Sequence, residues 1–162
     1  MSSDAFPALC TRRGPCPRPT SSRRQRAAIV AARLLPAARA LGGFVSTQLR
    51  VTVPPFVDGR PDVAVALTDP PPDGHALTAP VLVVLLAGHP TTPERWLAAG
   101  SSAVWVVHAE TATEWTRRRV RSRDPDDVLK VPRRPALSLP VAGVTGDGRA
   151  GRGSSFRAIT LG

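Results

Sequence analysis

Asp62 is the first residue with the means for chemistry. It follows Arg60-Pro61 at the mouth of the apolar run 63–67. A carboxylate at a strand end beside a loop is well placed to help hold Mg²⁺, a hard cation that takes oxygen ligands in octahedral geometry. One carboxylate is not enough. Metal-dependent cleavage of a phosphodiester normally uses a second acid on a neighbouring strand, with a base or cation to orient water and stabilise developing charge. The next apolar run, VLVVLLAG at 81–88, contains no acid, no lysine and no other side-chain oxygen. The competing reading of Asp62 is an acid that begins a strand or turn near Arg60.

Other candidates are fewer. His89 and His108 flank the unit 80–107 and have the chemistry for proton transfer, but each also reads as a polar residue just beyond a strand end. Cys10 and Cys16 stand without histidines at ligand spacing, so a disulfide or free thiols fits them better than zinc. Arg117, Arg118, Arg119, Arg121 and Arg123 form a cluster able to contact phosphates and position a duplex without reading its bases. No glycine-rich phosphate loop, nucleophile elbow or HExxH pair is present.

The elements that must position these residues centre on 80–107, which reads strand, helix, strand. The run 81–87 is apolar on both faces, as in a central strand of a covered sheet. Thr91, Pro93 and Glu94 suit a helix start, with Thr91 capping and Glu94 reaching back, and Gly100 stops the helix. The run 103–107 gives the second strand. Upstream, 23–41 carries a helical stripe of Ile29, Val30, Arg33, Leu34, Ala37 and Leu41, with Pro36 set to kink one helix or divide two. The segment 44–53 alternates as one half-buried strand, 54–59 is a turn, and 63–67 pairs back onto the first strand. A strand at 111–117 brings the sheet to about five strands. The stretch 117–134 is too polar for a core element, and 136–141 adds a short strand or covers an edge.

Composition bounds the rest. The 162 residues suffice for one domain. The segment 1–21 and the tail 143–162 read as disordered, leaving 22–142 as the folded unit. The formal charge of +10 resides in the flanks, almost all of it arginine, around an acidic centre. That balance fits either solvated charge or contact with nucleic acid. No segment approaches the ~20 apolar residues of a membrane span, and no signal sequence is apparent, so a cytoplasmic protein is expected.

Three segments in this order, RPDVAVAL (60–67), PVLVVLLAG (80–88) and ERWLAAGSSAVWVVHAETATEWTRR (94–118), resemble the restriction endonuclease family also called domain of unknown function 820, a branch of the PD-(D/E)XK nuclease superfamily. The resemblance covers roughly residues 22–142. It implies an α/β fold, a restriction-endonuclease-like mixed sheet flanked by helices, and Mg²⁺-dependent action on DNA. Asp62 matches the family's first metal-binding and catalytic carboxylate. Leu85 stands where the family has Glu, Gly88-His89 replaces Ser-Pro, Thr92 falls near the helix lysine, and His108 replaces the aspartate that closes the second strand. Trp96, Gly100 and Val104-Trp105 keep the scaffold pattern. The resemblance therefore implies a DNA-acting protein with weak or lost phosphodiesterase activity, with Mg²⁺ as cofactor if it is active. The alternative is a non-catalytic nucleic-acid-binding or structural protein with basic flanks.

Overall fold

The structure, a computed structural model, describes residues 21–145. Of the segments expected to be disordered, 1–21 and 143–162, residues 1–20 and 146–162, and with them Cys10 and Cys16, lie outside the described residues, whereas Ser21 opens a helix and Gly143 and Val144 close one, with Val144 in the core. The chain opens with helix α1 (Ser21–Ala40), followed by β1 (Phe44–Ser46), β2 (Arg50–Val53), β3 (Val57–Gly59), β4 (Val63–Ala66), β5 (His75–Ala76) and β6 (Leu82–Leu86). Helix α2 (Pro93–Ala99), β7 (Ala103–Val107), β8 (Ala112–Trp115), β9 (Val120–Arg123), β10 (Val128–Val131), β11 (Arg134–Pro140) and α3 (Val141–Val144) complete it.

The main sheet has six strands in the order β1-β4-β6-β7-β8-β9. Only β6 and β7 run parallel, because α2 carries the chain back between them, and every other neighbour is antiparallel. All five residues of β6 are buried, which explains why its sequence shows no alternation. Successive side chains leave on opposite faces, and each face has its own cover. Leu82, Val84 and Leu86 join Val30 and Leu34 of α1 and Leu129, Leu137 and Leu139 of the β10–β11 hairpin. Val83 and Leu85 join Trp96 and Leu97 of α2 with Leu49, just before β2, and Val51 and Val57 from the small β3-β2-β5 sheet.

Four details differ from the sequence reading. Helix α1 runs unbroken through Pro36, and its buried stripe is Ala27, Val30, Leu34 and Ala38, with Leu41 exposed. Burial on both sides of the exposed proline holds the helix through the missing backbone donor. The segment 44–53 is two strands in two sheets: β1 pairs with β4, as expected, whereas β2 leaves the main sheet to pair with β3 and β5. Thr92, not Thr91, occupies the N-cap of α2. The polar stretch 117–134 still supplies an edge strand, β9, and a hairpin strand, β10, whose Leu129 and Val131 are core residues. Gly100 ends α2 as expected, with φ at +124° and its N–H donating to the Leu97 carbonyl.

Candidate functional site

Asp62 lies just before β4, next to the end of β6. Its Oδ2 accepts the Leu86 N–H at 2.7 Å. The rest of its bonding comes from α1: Arg23 Nε donates to Oδ1 at 2.9 Å, and Arg23 Nη2 to Oδ2 at 2.8 Å. The same guanidinium also donates to the carbonyls of Leu86 and Ala87. A planar fork against both carboxylate oxygens is the strong geometry for this pair, and only 11% of the Asp62 side chain is exposed. The partner is thus Arg23, 39 residues away, and not the adjacent Arg60.

This donor set does not suit a hard divalent cation. Both oxygens already accept from a positive group, and antiparallel continuation of the β4–β6 register puts Leu85 opposite Asp62. Leu85 is 1% exposed and packs beneath α2, so this strand position supplies no oxygen for a hard cation. Among the described residues, no group of three or more His, Cys, Asp or Glu is placed to hold a metal ion.

The histidines are tied into the scaffold. His89 Nε2 lies 2.7 Å from the Arg60 carbonyl oxygen, which can only accept, so Nε2 carries the hydrogen. Its Nδ1 then accepts from the Thr91 N–H and hydroxyl, and the Thr91 oxygen accepts from Trp96 Nε1. This chain explains why Thr91 does not cap α2: its hydroxyl anchors the buried Trp96. His108 is exposed, its carbonyl accepting from Arg26 and its Nε2 lying 3.3 Å from the Thr113 hydroxyl.

A second buried acid escaped the sequence reading. Glu114 on β8 is 4% exposed and accepts from Arg123 Nη2 at 3.0 Å and from the Lys130 N–H at 2.9 Å. It joins β9 and β10 beneath the hairpin. The available signal was an acid in register with Ala112 on the inward face of an alternating strand. A third polar group lies on the small sheet, where Asp58 accepts from Arg50 and Thr52, and the Thr52 hydroxyl lies 2.8 Å from His75 Nε2.

The arginine cluster is not brought to Asp62. Trp115 pairs with Val104 near the start of β7, whereas Leu86 pairs with Val107 at its end, so the turn holding Arg117, Arg118 and Arg119 lies at the opposite end of the sheet. Three strand spacings across and about four residues along separate the two places by roughly 20 Å. Those three arginines and Arg121 are exposed, while Arg123 is held by Glu114.

With this geometry in view, comparison with known proteins is informative at the level of fold. No family model and no curated protein matches the sequence. Four chains of solved structures match. One, from Anabaena variabilis, is described as a "putative nuclease belonging to DUF820"; it superposes with a TM-score of 0.59 at 14% sequence identity, over 81% of this chain and 83% of that one. The fold is restriction-endonuclease-like. The likeness thus spans most of the chain's length.

Proposed function

We propose that this chain is a DNA-acting protein of restriction-endonuclease-like fold that holds nucleic acid without cutting it, its metal-dependent phosphodiesterase activity lost. The observation that carries the proposal is the bidentate Arg23–Asp62 pair, which fills both oxygens of the acid best placed for a metal. Leu85 beside it supports the same conclusion. Exposed Arg117, Arg118, Arg119 and Arg121 support attraction to phosphates, which needs no metal and no base reading.

The test uses the full chain with supercoiled plasmid and linear duplex, in Mg²⁺ and then Mn²⁺, alongside binding measured against salt. The expected result is no nicking, with salt-sensitive binding that survives Asp62→Asn and drops when the four exposed arginines become glutamine. Divalent-dependent cleavage abolished by Asp62→Asn would overturn the loss of catalysis. Absence of binding at low salt would overturn the nucleic-acid role.

A further inference from the structure

We infer that the groove between α2 and the β8–β9 turn is a binding site for an unpaired nucleotide of single-stranded nucleic acid. The site presupposes the nucleic-acid binding proposed above and narrows its target. The groove is a shallow, largely open depression of about 580 Å³ on the α2 face of the sheet. Its walls are Leu97 and Ala98 of α2 on one side and Trp115 and Val120 on the other, with Arg117, Arg118 and Arg119 around the rim.

Three features select the ligand. Trp115 is half-buried, one part of it packed in the second core cluster and the rest open to the groove. Val120 is 50% exposed beside it, so the floor is an apolar surface that water covers in the free protein. The rim carries three consecutive arginines against a single acid, Glu94. A ligand that satisfies both parts has a flat apolar body and an anionic backbone, which describes a base stacked on an aromatic ring with its phosphates on guanidinium groups. A duplex satisfies only the rim. Its bases are stacked inside the helix, and the apolar floor would stay wet beneath its backbone.

The tryptophans provide a selective readout. Of the three in the chain, Trp96 and Trp105 are completely buried, so Trp115 is the one that a ligand can touch. Titration of the full chain with short oligothymidylate, followed by tryptophan fluorescence and by anisotropy of a labelled strand, should show quenching that tracks binding. Duplex of equal length should bind less tightly and leave the fluorescence unchanged. Replacement of Trp115 by Leu should weaken single-strand binding about tenfold, the loss of one stacked base. Because Trp115 also packs in the core, Ala98→Glu provides a second variant: Ala98 is exposed on the groove wall, so the fold is undisturbed while the groove is narrowed and made acidic, and binding should fall at least as far. Conversion of Arg117, Arg118 and Arg119 to glutamine should flatten the salt dependence. Binding of single strands with unchanged tryptophan fluorescence, or binding insensitive to Ala98→Glu, would overturn the groove as the site while leaving the nucleic-acid role intact. Duplex binding equal to or tighter than single-strand binding would do the same. No binding of either form would remove both.

Discussion

Replacing Asp62 by Ala separates a structural tie from a vacant metal ligand, because the two roles predict opposite changes in stability. The substitution removes the acceptor of three N–H groups, two from Arg23 and one from Leu86. Breaking a fully buried ion pair from one side costs about 3–5 kcal/mol. Here Arg23 is 25% exposed and keeps the Leu86 and Ala87 carbonyls, so water and backbone recover part of that loss. Allowing ~2 kcal/mol for the pair and ~1 kcal/mol for the orphaned Leu86 N–H gives about 3 kcal/mol. Arg23→Ala leaves Asp62 its Leu86 bond and should cost about 2 kcal/mol, and the double variant should cost no more than Asp62→Ala alone. The resulting coupling is about 2 kcal/mol, measurable by urea unfolding of the full chain, and the thermal midpoint of Asp62→Ala should drop by roughly 10 °C. A carboxylate kept for a cation would behave otherwise. If Asp62→Ala were neutral or stabilising, or if Mg²⁺ alone raised the melting temperature of the wild-type chain through binding to the native state, the tie would be refuted.

Three further outcomes test the frame around this site. Glu114→Ala strands a partly exposed Arg123 and the Lys130 N–H under the hairpin and should cost about 3 kcal/mol, with Glu114→Gln recovering part; hydrogen exchange should show β9 and β10 losing protection first, and wild-type protection there would refute the link. Gly43→Ala builds a Cβ into the backbone carbonyl of Ala66 and within 2.9 Å of Leu67 Cα, so β1 must move away from β4 at a cost of about 1–3 kcal/mol. Its measure is the urea midpoint, and an unchanged midpoint would show that β1 is not held as described. The Arg50 hydrogen bond, then that from Thr52, holds the Asp58 carboxyl below its usual value. Because the folded group is the stronger acid, its contribution to the small sheet is present above the unfolded value of about 3.9 and fades as pH falls through the folded one. An NMR titration of Asp58 should therefore give a midpoint below that of an unstructured aspartate, and Arg50→Gln should close part of the gap, the Thr52 hydrogen bond remaining.

Much of the fold was legible because its central elements are locally coded. The unbroken apolar run of β6, the glycine that stops α2 and the second apolar run of β7 each report their own conformation through residues a few positions apart. The break between β1 and β2 was less legible, since alternation continues through 44–53 while the chain changes sheets, and period-two patterning does not say which partner a strand will find. The stripe of α1 was misplaced for a related reason. Several small apolar residues fit a helical period, and only docking against the sheet selects Ala27, Val30, Leu34 and Ala38 as the buried ones.

The sequence by itself determined that Asp62 stands at the mouth of a strand and that the next apolar run brings it no second acid, because an apolar residue at Leu85 cannot ligate a hard cation in any fold. Only the tertiary structure decided what Asp62 does instead. Arg23 reaches it because α1 crosses the sheet with its first turn over the end of β6, a placement that no spacing between positions 23 and 62 encodes. The same is true of the arginine cluster. Its charge is plain in the sequence, but the antiparallel return of β8 carries it to the far end of the sheet, away from Asp62 and against the groove beside Trp115.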